Sequence, residues 1–544
     1  MSRISILSAS LGLFFSACMV FGDNILLLDT TAINNLSTWI KIFLYAPIFI
    51  AGVFFIFKFA DNINFSPATF KPKKFFIISW LMIFLSWLPT LFAQYPGIFA
   101  YDALVQIFIY KINLIWMHFP PIHTWLLGFC TITLGEFFNS YELGFLIYTL
   151  LQMLSLSCTF AIILIYMLKK KLPAFFIIAW QIFFMIFPLI PIMAISATKD
   201  IFYSIFFVLM ILSLEENFLL TVPLGFMQII FRSQGIHVFL IGMFAGFFLL
   251  KDSRLKILKC TAATIAIAAF YFAVINIFAV KNADDSLREM SSVPIVQLSR
   301  VATYENISAE DLAEIKKFIP DVESYADKIS QGSSDNVKAN FHADNPAEFF
   351  SLWKKFLFKY PTDYFDAFAR LTVGLWYPSL EFDKCYSAQP YFQYESFKRE
   401  DDFIIFVENP FENRTHKLFK TDASFQLGDR FISGDETKNN IVLIENKILF
   451  GLDWLNNFYK NLAYNYSYEK IPIIKFLFST GFIFWLTLIY ICWCICKKNY
   501  RELFQASFIC ALWLTMFFGP ITLFRYTLPI AMCIPIFFAN VFKQ

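Results

Sequence analysis

Charge is what this 544-residue chain has least of. Only 16% of its residues are charged, against 58% hydrophobic, and 72 of them are Phe. A soluble chain of this size carries charge at about a quarter of its positions. The composition therefore excludes a soluble globular protein and describes an integral membrane protein. The net charge is only +3, and no Lys/Arg block forms a stripe, so nucleic acid is not a partner. The long apolar runs lack two-residue alternation, and lipid offers open backbone groups no partner, so the spans are helices rather than barrel strands. GxGxxG and P-loop patterns are missing, as is any internal repeat. Ten cysteines are present, but nine lie in or beside apolar segments and the one large polar region holds only Cys385. Cys492, Cys494 and Cys496 do not share a helix face, so neither a disulfide framework nor a thiolate metal site is expected.

What the chain does have is a series of apolar segments whose order can be read from lysines. About 20 apolar residues cross a bilayer, and short cytoplasmic loops are enriched in Lys and Arg. The first segment, Ile4–Phe21, imitates a signal peptide but reads as a span. With Ile40–Phe57 and Phe75–Phe92 it delivers residues 94–141 to the outer face. Lys169-Lys170-Lys171 then fixes the end of the next span, Leu143–Leu168, in the cytoplasm. Thr124–Phe138 is therefore expected to lie in the interface or re-enter without crossing. Ala103–Trp116 is expected to hug the membrane as well, with Gln106, Tyr110 and Asn113 as its polar stripe. Pro173–Met193, Ile201–Leu214, Phe218–Phe231, Ile236–Leu250, Ile257–Val280, Ile473–Cys496, Leu503–Phe518 and Tyr526–Phe542 bring the expected total to about twelve crossings, both termini cytoplasmic.

The expected fold is an all-α polytopic membrane protein with interfacial helices in its first large outer loop and an α+β extracytoplasmic region. It divides into a transmembrane region (1–280), the extracytoplasmic region (281–472) and C-terminal transmembrane helices (473–544). Within the polar region, Ser308–Ile319 reads as a capped helix with Glu310 and Asp311 in its first turn. Pro346–Tyr360 and Tyr364–Tyr377 read as helices, Asp402–Val407 and Asn440–Ile444 as short strands, and Leu455–Tyr468 as an aromatic interfacial belt.

This orientation gathers Asp102, Lys199, Asp200, Arg232 and Arg525 at the outer boundary. Ionisable groups at membrane depth are costly, so their convergence suggests a shared task. Arginine recognises phosphate oxygens bidentately and lysine as a point charge; a carboxylate beside them can take a proton from a hydroxyl or amine. Asp102 is the candidate catalytic residue. Lys199, Asp200, Arg232 and Arg525 are candidates for substrate binding, with His118 and His123, which bracket Pro120-Pro121. Other readings stand beside these. Asp102 is also placed to cap the helix from Ala103, and Asp200 to cap Ile201–Leu214. Arg232 and Arg525 also suit snorkelling anchors. A divalent metal at the two histidines would need Asp102 or another ligand, and no metal ligand set is assigned.

The order of these features resembles the GT-C superfamily of polytopic membrane glycosyltransferases. Asp102 in the first outer loop, then His118-Phe119-Pro120-Pro121, then a membrane-hugging helix ending Leu134-Gly135, is similar to the arrangement in protein O-mannosyltransferases and aminoarabinose transferases. Ala103 stands where the mannosyltransferases carry a second acid. More closely, the chain is similar to an uncharacterised bacterial family of predicted membrane proteins. The shared pieces are Tyr95-Pro96-Gly97 with Asp102, Pro120 with Thr124, Thr198-Lys199-Asp200, Phe231-Arg232 with Gly235, and Arg525-Tyr526 with Pro529. The resemblance implies an inner-membrane enzyme of the bacterial cell envelope. It would move a sugar from a polyprenyl-phosphate-linked donor to a glycan, lipid or protein acceptor on the outer face, with Asp102 as base and inversion at the anomeric carbon. A transporter or flippase of lipid-linked sugars, or a glycan polymerase or ligase, remains as the alternative.

Overall fold

A computed structural model describes residues 3–62, 65–100, 102–280, 285–304, 307–326, 332–338, 341–381, 396–397, 406–409, 414–417, 425–427, 430–435, 442, 444 and 446–542. Among the described residues, seven helices are long and apolar enough to cross a bilayer: Arg3–Leu28, Leu36–Asp61, Pro72–Ala93, Tyr141–Lys169, Lys251–Phe278, Thr480–Lys497 and Phe524–Val541. Their outward faces are apolar, as with Phe43, Leu44, Ile48 and Phe55, which are all exposed; this is the reverse of a soluble surface and suits lipid. The chain is a mostly helical, multi-pass membrane protein.

The other expected spans are helical, with differences that have local causes. Pro173–Met193 is two helices, Ala174–Ile186 and Leu189–Ile195, meeting at 56°. Pro188 brings no N–H and holds Phe187 extended (φ −67, ψ 117). Lys199–Glu216 carries charge at both ends, and Thr221–Phe231 and Gly235–Leu249 are short. Ile473–Cys496 breaks at Phe478-Ser479, where the Ser479 hydroxyl accepts from the Phe482 N–H and starts the helix Thr480–Lys497. Thr124–Phe138 falls on one helical stretch, Pro121–Phe137, capped by Phe138 and widened by a π turn at Phe129–Leu134. The expected helix Ala103–Trp116 ends at Lys111 and is followed by Asn113 at φ 52. Gln106, taken for part of a polar stripe, faces inward and is buried.

The described residues form two compact units. The first joins Met1–Ile63, Asp284–Tyr391 and Tyr468–Thr527. Its polar part is helical: Ser292–Tyr304, Ala309–Lys316, Pro346–Lys359 and Pro361–Trp376. Ser308 accepts from the Asp311 N–H at 3.1 Å, the expected cap. Ile295, Leu298, Val301, Phe349, Phe356 and Tyr364 form its core. A buried charged cluster ties this core to the end of the first helix. Asp366 accepts from the Thr31 N–H at 2.9 Å and from the Thr30 and Thr31 hydroxyls, while Arg300 donates to the Asp29 carbonyl at 2.8 Å. The second unit joins Asn64–Ala283, Phe392–Ser467 and Leu528–Gln544. Of the expected strands, Asp402–Val407 is described only from Phe406, where Phe406–Asn409 pairs antiparallel with Arg414–Lys417. Asn440–Ile444 falls outside the described residues except at 442 and 444, and Cys385 lies outside them as well. The nine described cysteines are free.

Candidate functional site

The site forms in the second unit because two distant turns of chain run side by side. Ile98–Phe99 (β1) pairs in parallel with Ser196–Ala197 (β2), Ile98 opposite Ser196 and Phe99 opposite Ala197. Parallel strands release their chains at the same end, so the residues after β1 and after β2 emerge together. Gly97 allows the close approach. It sits at φ 137, and a Cβ there would lie 2.5 Å from the Thr149 hydroxyl and 3.1 Å from the Ile195 carbonyl oxygen.

Asp102 and Lys199 meet at the end of this pair. Lys199 Nζ donates to Asp102 Oδ2 at 2.8 Å, with the side chains 18% and 31% exposed. Asp102 occupies the N-cap position of the helix Ala103–Lys111 but makes no capping hydrogen bond. Its carboxylate has gone to the lysine, so capping does not account for it. Lys199 Nζ also lies 5.4 Å from the centre of the Phe119 ring, a cation–π contact that the residues before Pro120 supply.

A second pair lies deeper. Arg232 Nη1 donates to Asp200 Oδ1 at 3.0 Å, with the side chains 8% and 0% exposed. Thr198, not Asp200, caps the helix Lys199–Glu216; its hydroxyl donates to Asp200 Oδ2 at 3.1 Å. Asp200 stands in the first helical turn, where the helix dipole favours an anion, and the Arg232 guanidinium lies 5.6 Å from the centre of the Tyr203 ring. Adjacent residues thus serve different pairs, as the divergence of side chains at i and i+1 requires.

The two histidines part company. His118 is exposed and stacks on Trp116, ring centres 4.7 Å apart. His123 is fully buried, its Nδ1 2.7 Å from the Gln106 side-chain amide and its Nε2 2.8 Å from the Tyr148 hydroxyl. With both ring nitrogens used inside the fold, His123 has none to offer a substrate or a metal. Burial pushes the imidazole down to about 3; the Lys199 ammonium adds to this, and the Asp200 and Asp102 carboxylates oppose it. Among the described residues, no group of three His, Cys, Asp or Glu side chains is placed to hold a metal ion, and Asp102, His118 and His123 do not converge as ligands.

Arg525 belongs to the first unit, where its Nη2 lies 3.4 Å from the Tyr526 hydroxyl. The second unit therefore brings together Asp102 with Lys199 and Asp200 with Arg232, and places His123 behind them. Sequence reasoning passed over Tyr148 and Gln152, which lie inside the apolar helix Tyr141–Lys169 and are both fully buried. An amide in the middle of a span was the available signal, since such groups rarely stand there without a task.

A family model for a family of unknown function, DUF6020, matches residues 225–544, more than half of the chain. The chain belongs to this family. The match includes Arg232 and Arg525, whereas Asp102, His118, His123, Lys199 and Asp200 precede it. No curated protein matches the chain, and no solved structure does.

Proposed function

We propose that the chain is a GT-C-type membrane glycosyltransferase that moves a sugar from a polyprenyl-phosphate-linked donor to a glycan, lipid or protein acceptor at the outer face of a bacterial inner membrane. In this reading about twelve helices cross the bilayer with both termini in the cytoplasm. Residues 94–141 form the outer ledge with its interfacial helices, and residues 281–472 form an α+β extracytoplasmic region. The observation that carries the reading is the Asp102–Lys199 pair, a partly exposed carboxylate and ammonium 2.8 Å apart.

Such a pair suits a base that must be released at the right moment. The donor phosphate draws the Lys199 ammonium away from Asp102. The freed carboxylate takes the proton of the acceptor hydroxyl as its oxygen bonds to the anomeric carbon. The bond from that carbon to the phosphate oxygen breaks with its electron pair on the phosphate, and Lys199 stabilises the charge that develops there. Direct displacement inverts the anomeric centre. Arg232 is held by a fully buried carboxylate, so the phosphate contact falls to Lys199 and Arg232 keeps Asp200 in place.

Asp102→Asn keeps the shape and removes the base. Transfer from a polyprenyl-phosphate sugar in reconstituted membranes should fall by about 10²- to 10⁴-fold at an unchanged protein level. Undiminished product would remove Asp102 from the mechanism.

One observation favours the transport reading. The bent pair Ala174–Ile186 and Leu189–Ile195 is a broken helix of the kind transporters use at their binding sites. Movement of a fluorescent lipid-linked sugar across proteoliposomes, with no acceptor and no glycosidic product, would establish that alternative. A polymerase or ligase would share the donor and differ only in its product.

A further inference from the structure

Behind the Asp102–Lys199 pair runs an unbroken chain of buried hydrogen bonds. It begins at Gln106, one turn along the helix from Asp102, whose N–H donates to the Asp102 carbonyl at 3.0 Å. The Gln106 side chain meets His123 Nδ1 at 2.7 Å, and His123 Nε2 meets the Tyr148 hydroxyl at 2.8 Å. Tyr148 donates to Gln152 Oε1 at 3.0 Å. The Gln152 amide nitrogen then donates to the carbonyls of Ala194 at 2.9 Å and Ser196 at 2.8 Å, in the helix Leu189–Ile195 and the strand that lead into Lys199. Gln106, His123, Tyr148 and Gln152 are all buried to within 1%. The chain therefore starts on the helix whose N-cap position is Asp102 and ends on Ala194 and Ser196, in the segment that runs into Lys199.

Gln106 Oε1 faces His123 Nδ1, His123 Nε2 faces the Tyr148 hydroxyl, and that hydroxyl donates to Gln152 Oε1, so each link polarises the next.

We propose that His123, Tyr148 and Gln152 are positioning residues that hold the helix Ala103–Lys111 against the segment that ends in β2 and so set the Asp102–Lys199 pairing. A buried relay that supports both halves of a site fixes its geometry more tightly than packing alone. The significance for catalysis rests on the reading of Asp102–Lys199 as the reactive pair. The positioning itself can be tested without any transfer activity.

Tyr148→Phe removes one hydroxyl, conserves volume and cuts the chain at its centre. In the purified full-length protein, trace acetylation followed by mass spectrometry reads how tightly each lysine is held. Lys199 should become about fivefold to tenfold more reactive in Tyr148→Phe, as expected for one buried hydrogen bond lost from a network. Gln152→Leu should give the same increase. Lys447, paired with Glu142 at 2.8 Å in the same unit, should keep its reactivity in both. Unchanged Lys199 reactivity in the two variants would overturn the assignment, as would an equal rise at Lys447, which would mean general loosening. If Lys199 responds as expected and no glycosyl transfer is ever found, the positioning chain stands and the transferase reading fails. If Lys199 does not respond while transfer depends on Asp102, the reverse holds.

Discussion

Asp102 and Asp200 carry the same side chain, and exposure separates what they can do. Asp102 is 31% exposed against a lysine that can move, whereas Asp200 is sealed against Arg232 at 0%. A proton acceptor must be reached by its substrate, so the proposed transferase uses Asp102 for chemistry and Asp200 for structure. His123 follows the same logic on the other side. Its folded pKa of about 3 lies below the ordinary value of 6.5, so the fold binds the neutral ring. The contribution of that ring to stability is complete above about pH 6.5 and is lost as pH falls from there through about 3, because the unfolded chain takes up the proton first. The thermal midpoint of the detergent-purified protein should therefore drop between pH 7 and pH 5, and the drop should shrink in His123→Gln. An identical drop in that variant would show that the imidazole is not held neutral. The sequence displayed Asp102, Lys199 and His123 as residues out of place near a membrane. It did not reveal that His123 faces inward, because two prolines beside a histidine fix a corner without fixing the direction of the ring.

At the scale of elements, the Asp200–Arg232 pair joins the start of the helix Lys199–Glu216 to the end of the helix Thr221–Phe231. Removing one partner of a buried pair leaves an uncompensated charge and costs about 3–5 kcal/mol, whereas replacing both with apolar groups can be neutral. Arg232→Met should lower the thermal midpoint sharply, and Asp200→Leu combined with Arg232→Met should recover most of the loss. Additive losses would mean that the two residues do not act as a pair. Helix positions were legible because apolar runs and end signals are local: Ser308 capping Asp311 and the Pro346–Lys359 helix stand as the spacing predicts. The breaks at Phe187-Pro188 and Phe478-Ser479 were not, since the hydropathy continues across both. The helix Ala103–Lys111 stopped short of expectation for a related reason. Its polar residues looked like a water-facing stripe, but Gln106 turns inward to His123 and Tyr110 bonds Thr133 at 2.9 Å.

At the scale of the whole molecule, composition settled that the solvent is a membrane, but it did not reach the long-range pairings. Nothing periodic in the sequence connects Thr30 and Thr31 with Asp366, or Asp29 with Arg300, yet these buried contacts draw the first two helices into one unit with residues 284–391. The parallel strand pair that builds the site is only two residues long on each side, too brief to leave a pattern of alternation. The sequence predicts that Asp102 and Lys199 converge; the ion pair sets them 2.8 Å apart. The decisive measurement is a structure of the purified chain with a polyprenyl-phosphate analogue, in which a phosphate oxygen should lie within hydrogen-bond distance of Lys199 Nζ, with the lysine withdrawn from Asp102. A lipid phosphate bound elsewhere, with Lys199 still 2.8 Å from Asp102, would contradict the transferase reading.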